Sequence, residues 1–143
     1  MSELVNSYMG SNNQILFDSN VSIARLNRED SQHVKAMAVF KQVEEYESAI
    51  ILPEYVIVEV CTIVAMRSNK ETVKTFLQTA RDNALVTILP STPSFLEQVM
   101  DFFIARQDRH LSFVDVSLLL LSESYTVTTF DKKLEKEIQK KSR

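Results

Sequence analysis

Position 10 holds the only glycine of this chain, so everything from residue 11 to Arg143 must fold without one. Phosphate-cradling loops, dinucleotide-binding turns and strained serine elbows all need backbone that glycine supplies at least steric cost. Those designs are excluded. Two histidines and one cysteine also fall short of the ligand set of a structural zinc site. Chemistry in this chain has to run on carboxylates and hydroxyls.

The 143 residues are 45% hydrophobic, which suits one compact domain with a true core. A net charge of -3 gives no global pull towards nucleic acid, so any such binding must use local basic patches. Cys61 has no partner for an intrachain disulfide and reads as a small buried hydrophobe. A reducing cytoplasm is its expected setting. No apolar run approaches the roughly 20 residues that span a bilayer, and the first residues lack a secretory pattern. Residues 1–14 read as a flexible polar extension or accessory arm, and residues 15–143 as the folded domain.

Four short β-rich runs stand out: Ile15 to Phe17, Ala49 to Leu52, Leu85 to Leu89 and Thr126 to Phe130. Helical stretches separate them, which predicts an α/β fold with a mostly parallel sheet. Apolar residues recur at helical spacing over 32–46 and 70–82. The 54–67 stretch is apolar nearly all round, as expected of a helix covered by both sheet and partner. Thr92-Pro93 reads as an N-cap followed by proline at the first helical position. Ser112 to Asp115 resembles a capping box with aspartate in the usual Glu/Gln place.

Against this frame, four acids sit beside or within apolar runs: Asp18, Glu59, Asp115 and Asp131. A carboxylate drawn towards an apolar interior needs hydrogen bonds, a proton or a cation. Local explanations exist for three of them, since Asp18, Asp115 and Asp131 each suit a helix start. Glu59, mid-helix between Val58 and Val60, escapes capping, and its structural alternative is a bond to a buried hydroxyl or arginine. Asp18 and Asp131 follow the first and last predicted strands, where ligands of parallel sheets bind. Brought together, the four would suit Mg²⁺ or Mn²⁺, which favour hard oxygen ligands. Thr129 is expected on the strand side shared with Asp131, there to hold the carboxylate or merely to serve β propensity. Ser19 and Asn20 either line the rim or stabilise a helix start. His33 and His110 read as surface or turn residues.

The blocks Ile15-Leu16-Phe17-Asp18-Ser19-Asn20, Val56-Ile57-Val58-Glu59-Val60, Leu111-Ser112-Phe113-Val114-Asp115 and Thr128-Thr129-Phe130-Asp131-Lys132-Lys133-Leu134 together resemble the PIN-domain family, above all its VapC-type toxins. The resemblance implies a three-layer α/β/α fold around a four- or five-stranded sheet, with an acidic quartet on Asp18, Glu59, Asp115 and Asp131. It implies metal-dependent cleavage of RNA, a homodimer and a small antitoxin partner. Thr129 would be the family's hydroxyl two before the last acid. Asn20 would support the site, and Arg106, Arg109, Lys132 and Lys133 are candidate RNA contacts. Serine at position 19 departs from the usual threonine but keeps the hydroxyl. Two readings compete: a PIN scaffold without catalysis, and a metal-dependent protein-binding module, because Asp18-Ser19-Asn20-Val21-Ser22 loosely echoes the D-x-S-x-S adhesion motif.

Overall fold

The computed structural model describes residues 14–107 and 110–142. Eleven elements follow one another: β1 (Gln14–Phe17), α1 (Ser19–Leu26), α2 (His33–Glu45), β2 (Ala49–Pro53), α3 (Glu54–Arg67), α4 (Lys70–Asp82), β3 (Val86–Leu89), α5 (Pro93–Ala105), α6 (Phe113–Leu121), β4 (Thr126–Thr128) and α7 (Lys132–Lys141). The strands form a four-stranded sheet in the order β3-β2-β1-β4. All three pairings are parallel, with Leu16 opposite both Ile51 and Val127. Gln14 opens β1, one residue before the expected run from Ile15 to Phe17. The remainder of the expected N-terminal extension lies outside the described residues.

Strand alternation distributes the core over two faces of the sheet. Ile15 and Phe17 pack with Val21, Val39 and Val43 on one side. Leu16, Ile51 and Val127 pack with Val99, Leu118, Leu119 and Leu134 on the other. Helices therefore cover both faces, giving the three expected layers. Among the described residues no helix is long and apolar enough to cross a membrane.

The lack of glycine leaves a trace at the end of α2. Glu47 stands at φ 51, the left-handed region, and is the one non-glycine residue with positive φ among those described. Ser48 N donates to Val43 O at 3.0 Å and Glu47 N to Glu44 O at 3.0 Å, the paired bonds of a Schellman ending. Glycine usually fills that position because a Cβ there costs about 1–2 kcal/mol.

Two expectations need correction. Strand β4 stops at Thr128, not Phe130. Beyond it, Asn20 Oδ1 takes the Phe130 N–H at 3.1 Å and Thr129 Oγ1 takes the Asp131 N–H at 3.0 Å, so side chains replace the ladder. Helix α3 is buried along one row only, Val56, Val60 and Val64. Val58 and Met66 are 60% and 80% exposed, so its apolar circumference is not enclosed by the described residues.

Candidate active site

Asp18 leaves the carboxyl end of β1, and its backbone N–H donates to Thr128 O at 3.0 Å, tying it to the end of β4. The side chain caps α1, Oδ1 accepting from Ser19 N at 2.7 Å. Oδ2 accepts from the Thr129 hydroxyl at 2.7 Å and from Asn20 Nδ2 at 3.3 Å. The residue is only 4% exposed. Burial therefore pushes its carboxyl up from 3.8 to about 6, with the charges of Asp115 and Glu59 adding to the rise. The bonds from Thr129 and Ser19 oppose that rise and do not cancel it.

Glu59 reaches the same corner from the second turn of α3. Its Oε1 accepts from the Ser19 hydroxyl at 2.8 Å, and that hydroxyl also lies 3.5 Å from Asp18 Oδ1. Ser19 thus bridges the acids of two elements. This is the buried-hydroxyl bond that sequence offers as the structural explanation of Glu59, and it sits beside Asp18.

Asp115 occupies the third position of α6 and completes a capping box: its N–H donates to Ser112 Oγ at 3.1 Å while its Oδ2 accepts from Ser112 N at 2.9 Å. Burial raises its carboxyl above the usual range, and the charge of Asp131 raises it further against the Ser112 bonds. Asp131 caps α7 through Lys133 N at 2.9 Å, and its own N–H is held by Thr129. The capping explanations are all correct locally. They coexist with electrostatic proximity: the charges of Asp115 and Glu59 raise the Asp18 carboxyl, and that of Asp131 raises Asp115.

Each of Glu59, Asp115 and Asp131 spends one carboxylate oxygen on a structural bond, and its other oxygen has no hydrogen-bond partner among the described residues. Such a set matches a hard cation in donor chemistry. As the side chains stand, however, no three acidic, histidine or cysteine groups among the described residues are close enough to grip one ion. The fit is one of donor chemistry.

Thr129 is more than a β former. It is buried beyond the strand end, donates to Asp18 and accepts from Asn20 Nδ2 at 3.3 Å as well as from Asp131 N. Asn20 likewise joins the rim network. The role of Ser19 as a bridge to Glu59 needs the contact between α1 and α3, a long-range packing fact that no local pattern carries. Lys132 and Lys133 are exposed in the first turn of α7. Arg106 caps the end of α5, with its guanidinium 3.3 Å from Glu137 on α7, so it already has an intramolecular counter-ion. Arg109 lies outside the described residues. His33 bonds the Ala24 carbonyl through Nδ1 at 2.7 Å, at the start of α2.

Two cavities bear on the site. One of about 350 Å³ is lined by Ser19 and Asn20, which bond Asp18, together with Ile23, Ile63, Arg67 and Phe130. Another, of about 440 Å³, lies over β2 and β3, lined by Ser48 and Leu85 near the opposite sheet edge; none of the four acids lines either one. Ser22 lines this second cavity together with Phe17.

A search of curated proteins finds no match to this chain. Among solved structures it is similar to VapC20 of Mycobacterium tuberculosis, described as a sarcin-ricin loop cleaving toxin. The TM-score is 0.71 at 18% identity, over 85% of this chain and 93% of that one. That likeness is one of fold. The family model described as "PIN domain" matches residues 15–137, a span that contains all four acids, and the chain belongs to the PIN-domain family.

Proposed function

We infer that the protein is an endoribonuclease that hydrolyses phosphodiester bonds of single-stranded or looped RNA with Mg²⁺ or Mn²⁺. The observation that carries this reading is the Ser19 bridge between buried Asp18 and Glu59, with Asp115 and Asp131 close enough to act on the same charge balance. PIN-domain membership and the likeness to a toxin nuclease support it. Asp18 and Asp115 would hold the principal cation, with Glu59 and Asp131 completing the shell. The ion would supply Lewis-acid charge at the scissile phosphate.

The chain's own groups have separate tasks. Thr129 and Asn20 fix Asp18 Oδ2, Ser19 orients Glu59, and the capping box aims Asp115 from the start of α6. The oxygens of Glu59 and Asp131 that carry no protein bond are suited to orient an attacking water. Lys132 and Lys133, beside Asp131, would meet phosphates as position-holding contacts. A cleft rimmed by acids admits a flexible strand more readily than a rigid duplex.

The likeness to a cleaving toxin supports a toxin role, and the PIN-domain resemblance would add a small antitoxin partner. A homodimer fits the apolar row Leu96, Met100, Phe103 and Ile104 on α5, all left exposed by this chain. The direct test is cleavage of a panel of structured RNAs with Mg²⁺ or Mn²⁺ by wild type and Asp18→Asn. Wild type should cut within loops, and the variant should lose at least a hundredfold in rate. Equal activity in both would remove the assignment.

A further inference from the structure

The cavity of about 350 Å³ beside the acids has a division of chemistry that the catalytic reading leaves unused. Its inner wall is apolar: Ile23 is buried, and Ile63 and Phe130 are partly so. At its outer edge stands Arg67, in the last turn of α3, exposed and with no salt bridge among the described residues. Lys35, exposed on the first turn of α2, holds its ammonium 4.7 Å from the centre of the Phe130 ring. Ser19 and Asn20, both bonded into the Asp18 network, form the wall shared with the acids.

We propose that this cavity is a nucleotide subsite, receiving the base of the residue next to the scissile bond while Arg67 and Lys35 hold its phosphate. The inference rests on the ribonuclease reading and deepens it. A nucleotide pairs a flat, apolar-faced ring with an anionic tail, and the cavity pairs an apolar wall with Arg67 in its lining, while Lys35 stands over the Phe130 ring. Asp30 also lines the cavity and disfavours an anion, so Arg67, the one cation among the lining residues, is the group that would seat a phosphate. Arg67 also offers the planar fork that suits phosphate oxygens. Single-strand binding sites of this type combine a ring-contacting surface with a basic track.

Direct binding separates this inference from catalysis. Fluorescence anisotropy of a labelled single-stranded RNA is measured with Asp18→Asn protein across a salt series. Arg67→Ala and Lys35→Ala are then added together, with Lys74→Ala on α4 as control. The double substitution should weaken binding about tenfold at low salt and reduce the salt slope by roughly 1.4, the value for two lost single-strand phosphate contacts. The control should change neither. In the wild-type background the same pair should raise KM with kcat held.

Unchanged affinity and KM in an active, folded double variant would overturn the subsite while leaving the nuclease intact. A parent that neither binds nor cleaves RNA would overturn both.

Discussion

At pH 7 Asp18 is charged in a place that disfavours charge. Its carboxyl is raised from 3.8 to about 6, with burial the leading cause. The folded state therefore binds this proton more tightly than the unfolded chain does. The associated stability is fully present below 3.8 and is lost as pH rises through about 6. At about 1.4 kcal/mol per unit, the cost at neutral pH is on the order of 3 kcal/mol. Asp18→Asn should accordingly stabilise the metal-free protein at pH 7 by roughly 1–3 kcal/mol. Chemical denaturation from pH 7 to pH 3.5 should show that gain shrinking towards zero in acid. A variant less stable than wild type at pH 7 would mean that the hydrogen bonds of Thr129 and Ser19 outweigh burial.

At the scale of elements, the helix starts are dual-purpose. Asp115 caps α6 and Asp131 caps α7, so the bonds that end each loop also fix where the carboxylates stand. Ser112→Ala removes the hydroxyl that holds Asp115 N at 3.1 Å. It should cost about 1 kcal/mol in denaturant midpoint measurements, the usual value of a lost cap. The same change should weaken Mn²⁺ binding, because Asp115 loses its fixed backbone.

These starts were readable because caps are local. Thr92 accepts from Phe95 N with Pro93 behind it, and Ser112 pairs with Asp115, as spacing alone indicates. Although β1 and β3 each begin one residue away from the expected start, at Gln14 and Val86, the α/β alternation and the starts of β2 and β4 were equally visible in short apolar runs. The end of β4 was not, because Asn20, 110 positions away from Phe130, supplies its terminating acceptor. Nor was the Ser19–Glu59 bond, which spans 40 positions and depends on how α1 lies against α3. Arg106 read as a phosphate contact from charge alone, whereas its ion pair with Glu137 depends on the placement of α7.

For the molecule as a whole, the parallel sheet gathers residues from both ends of the chain at one edge. Asp18 and Asp131, far apart in sequence, become neighbours because β1 pairs with β4 and Thr129 touches both. The apolar surface left on α5 has a different consequence. Met100 is 40% exposed and Ile104 is 79% exposed, a combination costly to leave in water. Light scattering after size exclusion should report a dimer for wild type and a monomer for Met100→Glu with Ile104→Glu. A wild-type monomer would remove the dimer from the account.

Everything catalytic depends on one convergence, and calorimetric titration of Mn²⁺ measures it most directly. Wild-type protein should bind the ion with an affinity that rises as pH passes upward through about 6, releasing a proton that buffers of different ionisation heat reveal. Asp18→Asn and Asp115→Asn should each lose most of that affinity while remaining folded. Saturable binding that is indifferent to both substitutions, or no binding by folded wild type, would contradict the metal centre assigned to these four acids.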